Sequence, residues 1–377
     1  MFIYMRICQL HNEYFFKGGE DKVVEAEKKL LTKKGHKVFQ LIRKNIDEIK
    51  SIKDEFKTLN NLSYSKKSLH ILDEYFSKNE LPDIVHVHNI FPLWTYSVFD
   101  YFKSNKIPIV MTLHNFRLLW KNVGLFSNKE NSRYGLFKNS HLKTFILQKI
   151  INKKKKLLLN VDKFIALNEF AKKKFISVGI PSDKIVIKQN FLENDEVDSD
   201  KKKTNRKINF ISSSRLSDEK GANVLFEAWE NLEYELILFG DGPLLNKCDN
   251  KNIKFFGNQE FGIIKNYMHE SYALILASKM YEGGLPLSII EAFKNNTLVI
   301  ASNLGSMKSE IKDEINGLLF NPGDSKSLKE RIKWAVKNKD LCKKIVKNAK
   351  YEFLSKYTED ENYNIIINIY EKLILNK

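Results

Sequence analysis

The stretch S-K-M-Y-E-G-G-L-P-L-S-I-I-E-A-F at residues 278–293, followed by V-I-A-S-N-L-G-S-M at 299–307, decides the reading of this chain. The apolar run from Ala273 to Ala277 ahead of it reads as a buried strand. It empties into a loop carrying Glu282, Gly283 and Gly284. Pro286 then stands where a helix would start, a place that suits its fixed φ and missing N–H. Glu291 falls more than a turn into that helix. A strand, a glycine loop and a helix N-terminus together present free backbone N–H groups and a positive dipole end to an anion. The two carboxylates flank that position and can accept hydrogen bonds from hydroxyl groups. The stretch therefore reads as a place for a molecule that is part phosphate and part polyol.

Outward from it, strands alternate with helices. I-N-F-I-S at 208–212, Y-E-L-I-L-F at 234–239, I-K-F-F at 253–256, Y-A-L-I-L-A at 272–277 and L-V-I-A at 298–301 form one series. A second series fills the first half. M-R-I-C-Q-L at 5–10 is its first strand, and Gly18-Gly19-Glu20 opens a helix to about Lys34, which Gly35 ends. Strands follow at 36–41, 84–88, 107–113, 164–167 and 185–187, with polar helical spacing across 47–79. Between the series, E-N-D-E-V-D-S-D-K-K-K-T-N at 193–205 has the composition of a linker. A chain of 377 residues is long for one core. The expected division is a domain over 1–192, a linker over 193–206, a domain over 207–355 and a terminal helix over 356–377. Such alternation argues for parallel sheets with ligands at the carboxyl ends of their strands.

Composition narrows the class. Hydrophobic content of 43% is ordinary for a globular protein. Cys8, Cys248 and Cys342 match no metal or redox spacing and favour a reducing compartment. The start lacks a signal-peptide cleavage site, and no apolar run approaches the roughly 20 residues of a membrane span. The net charge of +17 sits in one half. Residues 1–190 hold 35 Lys and Arg against 18 Asp and Glu, whereas residues 191–377 hold 28 of each. The first half thus expects an anionic partner: a membrane surface, a charged glycan or a nucleic acid. K-T-F-I-L-Q-K-I-I-N-K-K-K-K-L-L-L at 143–159 is its likeliest contact, as a helix lying on anionic lipid.

The 278–293 stretch resembles the signature of retaining glycosyltransferases of family 4, in which two glutamates bracket a Gly-rich turn. The resemblance implies the GT-B architecture, two Rossmann-like α/β domains facing across a cleft, with a terminal helix returning to the first. It implies that Glu282 meets the donor sugar and Glu291 the nucleotide's ribose, although the pair is nine apart here and usually eight in the family. I-S-S-S-R-L-S-D-E-K-G at 211–221 resembles the family's donor loop, in which Arg215 and Lys220 would grip the diphosphate, with Ser214 where a glycine is common. By the same resemblance Gly240, Gly283, Gly284 and Leu285 belong to the donor site, and His114, just past a buried strand, is catalytic beside Glu282. The glycine loop Gly18-Gly19 would lie against the diphosphate or the acceptor.

The implied reaction moves a sugar from a nucleoside diphosphate to a glycan or lipid-linked saccharide, with retention and no metal or other cofactor. Its setting is cell-surface polysaccharide synthesis at the cytoplasmic face of the membrane, with no nucleic acid as partner. Gly18-Gly19 is only half of G-x-G-x-x-G, which disfavours a nicotinamide cofactor. His86 and His88 share one face of a strand, but the sequence shows no third ligand for a metal. Two alternatives stay open: a sugar-nucleotide epimerase of the same architecture, and a basic nucleic-acid-binding protein, for which no recognition motif is present.

Overall fold

The structure, a computed structural model, describes residues 3–15, 18–61, 64–116, 159–193, 208–245 and 249–375. The chain divides into two compact units, Met1–Gln189 with Asn362–Lys377, and Asn190–Glu361. Of the segment 193–205 only Glu193 is described, and of 143–159 only Leu159.

The first unit runs β1 (Arg6–Glu13), α1 (Gly19–Lys33), β2 (Lys37–Lys44), α2 (Asn45–Glu48), α3 (Ile52–Asn61), α4 (Lys66–Lys78), β3 (Ile84–Val87), α5 (Ser97–Ser104), β4 (Ile109–Leu113), β5 (Lys163–Ala166), α6 (Glu169–Ser177) and β6 (Ile185–Ile187). Its six strands are all parallel, in the order β2-β1-β3-β4-β5-β6. The central strands β3 and β4 are buried throughout, and apolar except at His86 and Thr112, because helices cover both faces of the sheet. On one face Cys8, Leu10, Val85, Val87 and Met111 pack with Leu72 of α4 and with Phe99 and Phe102 of α5. On the other, Ile7, Ile84, Val110 and Ile165 meet Leu31 of α1 and Ile366, Ile369 and Tyr370 of the C-terminal helix. Each such side chain contributes about 1.5–3 kcal/mol on burial.

The second unit runs β7 (Asn209–Ser213), α7 (Ala222–Trp229), β8 (Glu235–Phe239), β9 (Ile253–Phe255), α8 (Phe261–Glu270), β10 (Ala273–Leu276), α9 (Leu287–Lys294), β11 (Leu298–Ser302), α10 (Gly305–Glu310), β12 (Leu318–Phe320), α11 (Ser325–Lys337) and α12 (Lys339–Lys356). The C-terminal helix, α13 (Glu359–Leu375), follows, and its residues from Asn362 onward belong to the first unit. The second sheet is also parallel, in the order β9-β8-β7-β10-β11-β12.

These two orders fix where each unit can hold a ligand. In the second sheet the strand order reverses between β7 and β10, and in the first between β1 and β3. At such a point neighbouring loops leave in opposite directions and open a crevice at the carboxyl ends of the strands. The loop after β7 carries Arg215 and Lys220, and the loop after β10 carries Glu282. The loop after β1 leads to Gly18, and His88 follows β3 directly.

Sequence and structure differ at strand ends. β1 continues past Leu10 to Glu13 and β2 past Leu41 to Lys44, because eight residue pairs hold the two in register. β12 was not read from the sequence. It is a three-residue edge strand paired to β11, too short to show a period.

Candidate active site

In the second unit, Lys220 and Glu282 meet. The Lys220 ammonium donates to Glu282 Oε1, which also accepts from Ser278 Oγ at 3.2 Å. The glycines around them explain how the strands' loops come so close. A Cβ on Gly221 would lie 1.8 Å from the Ala277 carbonyl oxygen at the end of β10, and Gly221 has φ +76°. A Cβ on Gly240 would lie 2.1 Å from the Ser214 oxygen. The backbone also ties the loops together, since Lys279 N–H donates to the Glu219 carbonyl at 2.9 Å. Lys279 Nζ reaches Asp218 Oδ1 at 2.6 Å.

The remaining donor-loop residues spread around this pair. Arg215 projects outward, its side chain 58% exposed and 3.8 Å from Glu219 Oε1. Gly284 offers its carbonyl to Ser306 Oγ at 2.9 Å, and Gly283 and Leu285 are buried. Glu291 is the fifth residue of α9 and is buried, with Asn295 Nδ2 3.3 Å from its Oε2. With the nine-residue spacing, Glu282 sits on the Lys220 ammonium and Glu291 lies inside the unit. Asp218, Ser278 and Lys279 join this cluster without having been read as site residues.

In the first unit His114 stands at the end of β4, and its Nε2 lies 3.0 Å from His88 Nδ1. It lines a recess at the ends of β3 and β4 with Asn89, Phe91, Thr112 and Asn115. Behind it is a buried polar cluster. Glu27 of α1 points in from a helix face otherwise made of Val23, Val24, Leu30 and Leu31. Its Oε1 is 2.9 Å from His86 Nδ1 and 3.6 Å from His88 Nε2, and its Oε2 is 2.8 Å from Lys188 Nζ. Tyr370 OH lies 2.7 Å from His86 Nδ1, and Thr112 Oγ1 lies 2.7 Å from His86 Nε2. The Gly18-Gly19 turn is tied to the same region, because Asp21 accepts from Gly18 N–H at 2.7 Å and holds His11 Nε2 at 2.8 Å.

The fold thus supplies the third ligand-type residue that the sequence did not show, for Glu27, His86 and His88 gather within 4.8 Å. The chemistry of the set argues against a divalent ion. The Lys188 ammonium already neutralises the single carboxylate, and an ion placed beside it in a closed interior would meet unscreened repulsion. The cluster is a hydrogen-bonded charge network.

Two models of protein families match this chain: Glycosyltransferase Family 4 over residues 18–196 and Glycosyl transferases group 1 over 193–352. The chain belongs to the GT-B glycosyltransferases. A sucrose-phosphate synthase from Thermosynechococcus elongatus superposes with a TM-score of 0.74 at 15% identity, covering 99% of this chain and all of that one. The Anabaena protein HepE, in complex with UDP and glucose, does so with a TM-score of 0.67 at 16% identity, covering 97% and 99%. An uncharacterized glycosyltransferase of Methanocaldococcus jannaschii is 26% identical over 162 residues, 41% of this chain and 45% of the relative. The chain spans less than two thirds of the length of the curated relatives it matches.

The electrostatics of the first unit favour neutral His88 and His114 near an ionised carboxylate. Burial pushes His88 well below its ordinary value, and His86 adds to this. Burial, then the neighbouring His11, lowers His114 to about 3, an effect that its partial exposure moderates. Burial raises Glu27, but Lys188 and His86 outweigh it and hold the carboxyl well below the usual range. Between the ordinary histidine value of 6.5 and these lowered ones, the unfolded chain takes up protons that the folded chain does not. Stability from His88 and His114 is therefore full above about pH 6.5 and is lost as pH falls below it. Differential scanning fluorimetry should show Tm falling from pH 7 to pH 5, with a shallower fall in a His88→Gln variant. Equal slopes would remove His88 from this account.

Sequence reasoning missed Glu27, Lys188, His11 and Asp21. A signal existed for Glu27, a charge at a core-facing helical position. None marked Lys188, one of 63 Lys and Arg residues, as one that would be buried.

Proposed function

We propose that the chain transfers a sugar from a nucleoside diphosphate sugar to a hydroxyl of a glycan or lipid-linked saccharide, with retention of configuration and without a metal. The observation that carries this reading is the Lys220–Glu282 pair at the carboxyl ends of β7 and β10. An ammonium has three donors, so Lys220 can hold both Glu282 and a diphosphate oxygen. Glu282 shares Oε1 with Lys220 and Ser278, and Oε2 takes no hydrogen bond among the described residues. That oxygen suits a sugar hydroxyl. Support for a nucleotide sugar also comes from HepE, whose structure holds UDP and glucose.

In the proposed reaction the bond from the anomeric carbon to the phosphate oxygen breaks, and charge builds on the leaving diphosphate. Lys220 stabilises that charge without reorganising, and the exposed Arg215 adds to it once its side chain orders on the phosphate. The acceptor oxygen bonds to the anomeric carbon on the face the phosphate leaves, and the acceptor proton passes to the phosphate oxygen. No protein nucleophile is required. His114, neutral, stands ready to accept a hydrogen bond from a sugar hydroxyl.

Thermal shift against a panel of nucleotide sugars, then product detection with candidate acceptors, tests this reading. Stabilisation by one donor and acceptor-dependent release of its nucleoside diphosphate are expected. Conversion of the donor without acceptor would support an epimerase instead, and no response to any donor would overturn the reading.

The basic first half supports docking on anionic membrane at the cytoplasmic face, in cell-surface polysaccharide synthesis. Among the described residues no helix is long and apolar enough to cross a membrane. Co-sedimentation with anionic but not neutral liposomes, weakened by salt, is the expected result. Equal binding to both lipids, or none to either, would reject it.

A further inference from the structure

We infer that Glu27, acting through His88, holds the His114 imidazole in the tautomer that carries its proton on Nε2 and leaves Nδ1 as a bare acceptor. Glu27 would then be a positioning residue, remote from substrate.

The argument follows protons outward from the carboxylate. Glu27 is fully buried and charge-paired with Lys188, so both its oxygens are acceptors. Oε1 lies 2.9 Å from His86 Nδ1. That nitrogen has Tyr370 OH as its hydrogen-bond partner at 2.7 Å, so Oε1 is left without a hydrogen bond of its own. His88 Nε2 faces the same Oε1 at 3.6 Å and has no hydrogen-bond partner, so the field of that carboxylate oxygen acts on it directly. That field favours a proton on Nε2. A neutral imidazole carries one proton, so His88 Nδ1 is bare. It can only accept from His114 Nε2 at 3.0 Å, which therefore bears the His114 proton. The stacked rings of His88 and His114, 5.3 Å apart and inclined by 25°, hold this contact in place.

The opposite tautomer would be selected if the carboxylate were absent, since His88 Nδ1–H could then donate to His114 Nε2. The buried charge thus decides whether His114 offers the recess an acceptor or a donor. A sugar hydroxyl can donate to a bare Nδ1. The consequence for turnover rests on the proposed glycosyl transfer, whereas the tautomer itself does not.

Long-range ¹H–¹⁵N correlation spectra of the ¹⁵N-labelled full chain read the tautomer directly, with His114 assigned from the spectrum of a His114→Gln variant. At pH 7.5 the wild type should show His114 protonated on Nε2 alone. A proton on Nδ1 there would overturn the inference without any further variant. Glu27→Gln should move the proton partly or wholly to Nδ1. The Glu27→Gln, Lys188→Met double variant, which leaves no lone buried charge, serves if the single one fails to fold. An unchanged His114 tautomer in a folded variant would show that Glu27 does not set it. Once a donor is identified, the same variant should lose about tenfold in kcat with KM little changed. If no donor is ever turned over, the proposed function fails while the tautomer result stands.

Discussion

A Lys220→Ala variant should lose about 100- to 1,000-fold in kcat/KM for sugar transfer, the loss seen when one preorganised donor to a developing anion is removed. The expectation is large because Lys220 is held in place before any substrate arrives. Its ammonium is gripped by Glu282, its loop is tied by Gly221 against Ala277, and only 26% of its side chain is exposed. Arg215 makes an instructive contrast. At 58% exposure and 3.8 Å from Glu219 it is loosely held, so part of its attraction to phosphate is spent on ordering the side chain. Arg215→Ala should therefore lose less than Lys220→Ala. Glu282→Gln should lower kcat as well, because the amide no longer anchors Lys220 by charge. The double variant Lys220→Ala, Glu282→Gln should lose less than the product of the single losses, since the two residues act as a unit. Steady-state kinetics on the four proteins decide the matter. Wild-type kcat/KM in Lys220→Ala would remove the pair from the chemistry, and multiplicative losses would show that the contact has no bearing on turnover.

Much of this arrangement could be read from the chain, and the parts that could not share a physical cause. Buried parallel strands announce themselves as short apolar runs, so Ile84–Val87, Ile109–Leu113 and Ala273–Leu276 lie within or at the edges of the runs read. Loops after buried parallel strands are where ligands sit, so the placement of Arg215, Lys220, Glu282 and His114 in such loops could be read from the chain, whereas the roles expected of them came from the family resemblance. What the chain does not display is pairing across long separations. That Lys220 would take Glu282 as its partner, 62 residues away, depends on two loops meeting at a reversal of strand order. That His86 and His88 would gain a carboxylate depends on α1 turning Glu27 inward against the sheet. Local sequence records which face of an element is apolar. It does not record which polar group the opposite element delivers there.

The same network gives the largest expected effect on stability. Lys188→Met should destabilise the protein by about 3–5 kcal/mol, because it leaves the Glu27 carboxylate buried without its cation. Both side chains are almost wholly enclosed and lie 2.8 Å apart. Removing either charge alone leaves the other in a medium that cannot solvate it, so Glu27→Gln should be costly too, through the stranded Lys188 ammonium. Removing both charges together relieves that penalty. Glu27→Gln, Lys188→Met should accordingly be more stable than either single variant, as happens when buried ion pairs give way to neutral groups of similar volume. Chemical denaturation at pH 7.5, followed in the first unit by Trp94 fluorescence, measures the cycle. Additive losses in the double variant would mean that the two charges do not see each other. A stable single variant would mean that water reaches the cluster and solvates the remaining charge. The predicted order, with the double variant above both singles, would show that Glu27 and Lys188 act on stability as a coupled pair.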